Sequence, residues 1–180
     1  MRIVSGILRG RQINPPSGFD ARPTTDFAKE GLFNILNNHF NFEECCALDL
    51  FAGSGNISYE FVSRACKSVT AVEIHAKYAS FIERTAASFH ITSLQVLKAD
   101  AYRYLQHCTR RFNIIFADPP YSSGRYEEIH RFVFQNNVLM PDGVLILEHN
   151  KDVDLRNLKY FEQTKKYAGV MFSFFWNMGE

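Results

Sequence analysis

Ala47-Leu48-Asp49-Leu50-Phe51-Ala52-Gly53-Ser54-Gly55 starts as an apolar run, ends in a glycine turn, and is followed by a helical stretch to about Arg64. A short apolar segment closed by glycines reads as a buried strand delivering the chain into a sharp turn. The pattern then recurs. Ser68 to Val72 is a second strand ending at Glu73, with a helix from about Ala76 to Phe89. Leu94 to Lys98 is a third strand ending near Asp100, followed by a short helix from Tyr102 to His107. Phe112 to Ala117 is a fourth, stopped by Asp118-Pro119-Pro120-Tyr121; a helix around Tyr126 to Asn136 and a strand from Gly143 to Glu148 complete the alternation. Strands alternating with helices imply an α/β fold, a mostly parallel sheet covered on both faces. Tyr160 to Lys166 and Val170 to Trp176, rich in aromatic and β-branched residues and separated by Gly169, read as a closing antiparallel hairpin.

Upstream of this core, residues 1–44 read as a separate extension, leaving 45–180 as the catalytic domain. Arg2, Arg9, Arg11 and Arg22 face a single acid, Asp20, in the first 22 residues. Arg2 to Gly6 and Leu8 to Arg11 read as a small β-ribbon turning at glycine. Thr24 or Thr25 caps a helix running to about Asn38. The whole chain of 180 residues has 46% hydrophobic and 22% charged residues and a net charge of only +1. That balance excludes a globally basic nucleic-acid binder and leaves local arginines to meet phosphate. No apolar run approaches the ~20 residues that span a bilayer, and Met1-Arg2 does not open a leader pattern, so the expected location is the cytoplasm with no membrane contact. Cys45, Cys46, Cys66 and Cys108 lack Cys-x-x-Cys or histidine spacing and read as reduced thiols, with no metal site. With no extended apolar face, a monomer is the default.

In an open α/β sheet, ligands bind beyond the carboxyl ends of the strands. Three successive strand ends here carry suitable groups. Asp49, Phe51, Gly53, Ser54 and Gly55 form a loop that allows close backbone approach, without the Walker lysine and with Ser58 in place of the third dinucleotide glycine. Glu73 is placed to accept from ribose hydroxyls, and Asp100, followed by Ala101, to accept from an adenine amine. A ligand with adenine and ribose, no phosphate and a cationic centre fits this acidic edge. S-adenosylmethionine has that description, with S-adenosylhomocysteine as its product.

Asp118-Pro119-Pro120-Tyr121 is the most specific signal. The lone pair of an exocyclic amine on a base is delocalised into the ring, so methylation needs acceptors that hold its N–H bonds. The Asp118 carboxylate and the Pro119 carbonyl supply two. Pro119 and Pro120 stiffen the loop, and Tyr121 offers a face on which an extruded base can stack. No metal is required.

Together these residues resemble the RsmD family, bacterial methyltransferases of a guanine N2 amine in 16S ribosomal RNA. The resemblance runs over nearly the whole chain. It is carried by Arg2-Ile3-Val4-Ser5-Gly6 through Arg11, by Arg22-Pro23-Thr24-Thr25-Asp26 with Glu30 and Leu32-Phe33-Asn34-Ile35-Leu36, and by Leu48 through Gly55. Val72-Glu73, Phe112 through Phe116 and Asp118 through Tyr121 complete it. It implies a Rossmann-like class I S-adenosylmethionine-dependent fold with a seven-stranded sheet, and small ribosomal subunits as substrate. In it Asp118 and Pro119 hold the amine and Tyr121 stacks the guanine. The sequence departs from the family where Phe27 replaces a usually basic residue, at Asn56-Ile57-Ser58-Tyr59, and in the tail Lys166-Tyr167-Ala168-Gly169.

Arg2, Arg9, Arg11, Arg22, Thr24 and Thr25 are the expected RNA contacts, with Lys29 in the same basic cluster. Lys165 and Lys166 read as solvated charges. An adenine-N6 or cytosine-N4 DNA methyltransferase shares the Asp-Pro-Pro-Tyr chemistry and remains an alternative. A non-catalytic RNA-binding assembly factor is the alternative of another class.

Overall fold

The structure, a computed structural model, describes residues 1–18, 24–167 and 169–179. Its elements are α1 (Asp26–Asn37), β1 (Cys46–Leu50), α2 (Asn56–Ser63), β2 (Ser68–Glu73), α3 (Ala76–Ser88), β3 (Leu94–Lys98), α4 (Ala101–His107), β4 (Phe112–Ala117), α5 (Tyr126–Gln135), β5 (Leu139–His149), β6 (Phe161–Tyr167) and β7 (Val170–Trp176). They build one seven-stranded sheet in the order β3-β2-β1-β4-β5-β7-β6. The first five strands run parallel, and β7 lies antiparallel between β5 and β6. This is the expected Rossmann-like α/β architecture, and its order reverses between β1 and β4.

Alternation along the strands divides the core. Ala47, Val69, Ile114, Phe116, Val144, Ile146, Phe172 and Phe174 pack against Leu32, Phe33 and Leu36 of α1 and Ile57 and Phe61 of α2. Leu48, Leu50, Val72, Ile115 and Leu147 point the other way, toward Leu105 of α4 and Ile129 and Val133 of α5. A fully buried side chain of this size contributes about 2 kcal/mol, so both faces hold the sheet firmly. β5 starts at Leu139, earlier than the expected Gly143. Leu139 pairs with Phe112 before a register shift, and the irregularity is absorbed by Asp142 at φ +58°.

The N-terminal segment is bound into the same body. Ile3 N–H donates to Arg11 O at 3.0 Å and Gly10 N–H to Ile3 O at 2.8 Å, with a single bridge between Arg2 and Gln12. The ribbon is therefore shorter than a strand pair. Its turn lies on α2: Ile7 N–H donates to Ser63 O at 2.7 Å, and Leu8 N–H to Ser63 Oγ at 2.9 Å. Gly6 has φ +83°, and a Cβ there would stand 1.8 Å from Ser63 O, so only glycine permits the contact.

Behind the ribbon sits a fully buried lysine. Lys29 Nζ donates to Arg2 O at 2.6 Å and Asn56 Oδ1 at 3.0 Å, and pairs with Glu60 Oε1 at 3.0 Å. Glu60 also accepts from Val4 N–H at 2.7 Å and is paired with Arg64. Burying an ammonium costs several kcal/mol, and this many oxygen partners offset it. Lys29 is thus internal, because its charge is already satisfied by the ribbon and α2, and it does not join the surface cluster in which it was expected. Lys29→Met should lower unfolding stability by about 3 kcal/mol, since it takes the buried donor from Arg2 O and Asn56 Oδ1 and one of the two cations from Glu60. Urea unfolding followed by circular dichroism reads this directly, and an unshifted midpoint would remove the network from the account of stability.

Candidate active site

The carboxyl ends of β1, β2, β4 and β5 place four acidic side chains, Asp49, Glu73, Asp118 and Glu148, on one edge. Leu50 pairs with Ala117, and Ala117 with Leu147, so Asp118 and Glu148 follow their strands side by side. Asp49 and Glu148 are each 2% exposed. Asp49 Oδ2 accepts from Ser58 Oγ at 2.5 Å, and Glu148 Oε2 from Thr24 Oγ1 at 2.9 Å. Burial raises the Asp49 carboxyl to about 7 against the help of Ser58, with Asp118 and Glu73 adding repulsion. Burial likewise raises Glu148 to about 7, opposed by the Thr24 bond and aided by Asp49. The Asp118 carboxyl is held well above the usual range by burial first and by Glu148 second. Three neighbouring acids that resist ionising together are a mark of a functional edge.

The turn after β1 is strained. Phe51 takes φ +62°, which costs about 1 kcal/mol or more for a residue with a side chain. Its ring rests edge-on against Tyr102, centroids 5.4 Å apart. Gly55 caps α2 at φ +79°, where a Cβ would meet Tyr59 at 3.0 Å. Ser54 is buried, and its hydroxyl lies 3.6 Å from Met1 Sδ. Glu73 spans the gap between loops: Oε2 accepts from Gly53 N–H and Oε1 from His75 N–H, each at 2.8 Å. Each oxygen keeps a second lone pair for another donor. Asp100 caps α4 by accepting from Arg103 N–H at 2.9 Å, and Ala101 is buried in that helix's first turn.

After β4, Pro119 is buried while Pro120 is exposed. Tyr121 begins a single 3-10 turn, Tyr121–Ser123, and is 47% exposed. The turn is braced by Ser123 N–H on Pro120 O at 2.8 Å, by the Tyr102 hydroxyl on Ser123 Oγ at 3.4 Å, and by the Arg125 guanidinium 3.6 Å over the Tyr102 ring. Tyr126 is 3% exposed, and its hydroxyl has no hydrogen-bond partner among the described residues. Burial raises its pKa to about 12, with Asp118 and Tyr121 the next causes.

The expected residues therefore divide. Asp49, Phe51, Gly53, Ser54, Gly55, Glu73 and Asp118 share one edge, with Asp100 opening the helix after β3. The N-terminal segment reaches the same edge at Ser17 and Gly18, whose carbonyls accept from Lys77 Nζ at 2.7 Å and the Tyr78 hydroxyl at 3.1 Å at the start of α3. The ribbon turn with Arg9 and Arg11 instead lies at the far ends of α2 and α3, away from the strand ends, as against the expected place beside the cleft. Arg9 and Arg11 are exposed, the latter 5.2 Å over Phe89, while Arg2 is paired with Asp26 at 2.7 Å. Arg22 lies outside the described residues. Thr24 and Thr25 differ from expectation, because both hydroxyls have partners inside the protein: Thr24 is buried against Glu148, and Thr25 Oγ1 caps α1 by accepting from Ala28 N–H at 3.2 Å. Glu148, Ser58 and Tyr126 were missed. Glu148 closes an apolar strand as Glu73 does, and the same rule would have found it.

The family model described as Conserved hypothetical protein 95 matches residues 1–176. The chain is 33% identical over 159 residues to YlbH of Bacillus subtilis, covering 86% of this chain and 85% of that protein. It is 32% identical over 159 residues to Ribosomal RNA small subunit methyltransferase D of Haemophilus influenzae, covering 86% and 81%. Among solved structures, yhhF of Escherichia coli matches with a TM-score of 0.87 and 26% identity over 100% of this chain and 99% of that one. With a family match over residues 1–176 and relatives of this identity and coverage, the chain belongs to the Conserved hypothetical protein 95 family, the RsmD family.

Proposed function

We propose that this protein transfers a methyl group from S-adenosylmethionine to the exocyclic N2 amine of a guanine in 16S ribosomal RNA, within small ribosomal subunits. The observation that carries the reading is the stiff, braced loop Asp118 to Tyr121 set beside the acid-lined ends of β1 and β2. Relatives named Ribosomal RNA small subunit methyltransferase D support the substrate class.

The residues present fit the cofactor. Glu73 keeps an acceptor on each oxygen for ribose hydroxyls while both loops hold it in place. Asp100 keeps a second oxygen for an adenine amine. The unpartnered, buried Tyr126 hydroxyl calls for a polar ligand at this edge. When bound, S-adenosylmethionine supplies an electrophilic methyl group. Asp118 and the Pro119 carbonyl accept the two amine hydrogens, which aims the nitrogen lone pair out of the base plane. The half-exposed Tyr121 ring stacks the base, worth ~1–3 kcal/mol, and offsets part of the cost of unstacking it. Arg9 and Arg11, exposed at the far ends of α2 and α3, meet phosphate of the surrounding RNA away from the catalytic loop and carry little sequence information. In this reading residues 1–44 are the RNA-facing part and residues 45–180 the catalytic part.

Labelled S-adenosylmethionine offered in parallel to unmodified small subunits, naked 16S RNA and duplex DNA should place label in N2-methylguanosine of the subunits. Label in N6-methyladenine or N4-methylcytosine on DNA would replace the substrate while keeping the loop chemistry. Asp118→Asn should reduce turnover ~100-fold or more with the affinity for S-adenosylhomocysteine, measured by calorimetry, unchanged.

The raised acids make two pH dependences of opposite sign. Asp118 accepts best when ionised, so turnover should climb with pH and do so well above the usual carboxylate range. Stability should move the other way. Asp49 and Glu148, at about 7 when folded, bind more protons in the folded state than in the unfolded chain, whose carboxyls titrate near ~4. Their contribution is fully present below the unfolded value and is lost as pH rises through about 7. The thermal midpoint should fall across that window, and Asp49→Asn should flatten the slope; an unaltered slope would mean Asp49 titrates normally.

A further inference from the structure

A second concave surface lies on the catalytic edge beyond Glu148. Phe27, in the first turn of α1, follows Thr24 by three residues, and Thr24 is bonded to Glu148. Its ring is 63% exposed. It meets Tyr167 edge-on, with centroids 5.9 Å apart and planes at 68°. Tyr167 ends β6, and its pairing with Val170 comes after His149 pairs with Met171. The β6–β7 reversal therefore reaches past the carboxyl end of β5. Phe27 and Tyr167 stand on the edge that carries Asp118, on the side away from the cofactor strands.

The surface is built. Tyr167 is held against α1 at Gly31, where a Cβ would lie 2.2 Å from its ring. Between the ring pair and the rest of α1 runs a groove of about 310 Å³, with Glu30, Asn34 and Asn38 along its helical wall. Lys165 shares the face of β6 that carries Tyr167, and both Lys165 and Lys166 are exposed. A single exposed phenylalanine needs no explanation. An exposed ring with carboxamides and a carboxylate along the neighbouring helix and Lys165 on the same face of β6 is a different matter. The groove sets aromatic rings and Ile35 beside the polar edges of Glu30 and Asn34, a mixture that suits a flat ring with a polar edge better than an aliphatic side chain. Carboxamides and carboxylates read base edges, aromatic faces stack bases, and lysines neutralise phosphate.

We propose that Phe27, backed by Tyr167, is a stacking platform for an unpaired nucleotide adjacent to the methylated guanine, with its base edge toward Glu30 and Asn34 and its phosphate toward Lys165. This rests on the reading of the protein as an RNA methyltransferase. Extruding the target base leaves a neighbour without its stacking partner. A second aromatic face on the same edge gives that neighbour a new one.

The test is steady-state methyl transfer to unmodified small subunits by the wild type, Phe27→Ala, Phe27→Leu and Phe27→Tyr, alongside thermal midpoints. Phe27→Ala and Phe27→Leu should raise KM about tenfold with kcat changed less than about twofold, and Phe27→Tyr should keep the wild-type KM. Thermal midpoints should stay together, since the ring is mostly in solvent. Unchanged KM in Phe27→Ala overturns the platform. So does rescue by leucine equal to that by tyrosine, which would assign Phe27 to packing on Tyr167. If the wild type itself leaves subunits unlabelled, the methyltransferase reading fails and takes the platform with it, a failure visible before any variant is assayed.

Discussion

The ammonium of Lys29 is the fixed point of the N-terminal half. It sits at zero exposure among Arg2 O, Asn56 Oδ1 and Glu60 Oε1. A charge so placed tolerates little displacement, because losing one partner in a low-dielectric interior costs more than the bond itself contributed. The ribbon, α1 and α2 are therefore held in one arrangement. Asn56 passes the constraint on by donating to Thr24 O at 3.0 Å, which fixes the residue whose hydroxyl meets Glu148. A site at the sheet edge is thus aligned from a point deep in the protein.

That edge works against stability. Asp49, Asp118 and Glu148 are gathered where burial and mutual repulsion push each toward the neutral form. An apolar set of the same shape would hold the sheet at least as well. The strain at Phe51 has the same character. Proteins retain such arrangements where a ligand or a reaction uses them, and here the unfavourable groups gather at the carboxyl ends of neighbouring strands.

The sheet was legible chiefly through its inner strands, which are buried on both faces and read as apolar runs closed by a polar or glycine turn, while the edge strands β3 and β6 are half-exposed and mixed. Phe112 to Ala117 and Val170 to Trp176 stand in the structure with the bounds their composition implies. Boundaries failed where tertiary pairing overrode local punctuation: Pro141-Asp142-Gly143 looks like a break, yet β5 continues through it because Phe112 pairs with Leu139. At the candidate site, placements that follow from residue type and strand position were readable, as with Glu73 and Asp118 at the ends of β2 and β4. Lys29 and Thr24 were not, because their role depends on partners 31 and 124 residues away, Glu60 and Glu148. A positive charge in a basic stretch looks solvated until the fold supplies an interior acid.

The bond between Thr24 and Glu148 also orders events in time. Its partners are 124 residues apart, and contacts of such sequence separation close late because the intervening chain must first be organised. Ribbon and α1 can settle on α2 once Ser63 has been made, but α1 finds its outer support on β5, β6 and β7 only after those strands exist. During synthesis the N-terminal segment thus waits, partly docked, for the last quarter of the chain. The edge that holds Asp118 takes its final form only when the C-terminal hairpin closes, so a truncated product would carry the whole glycine loop and still lack a finished site.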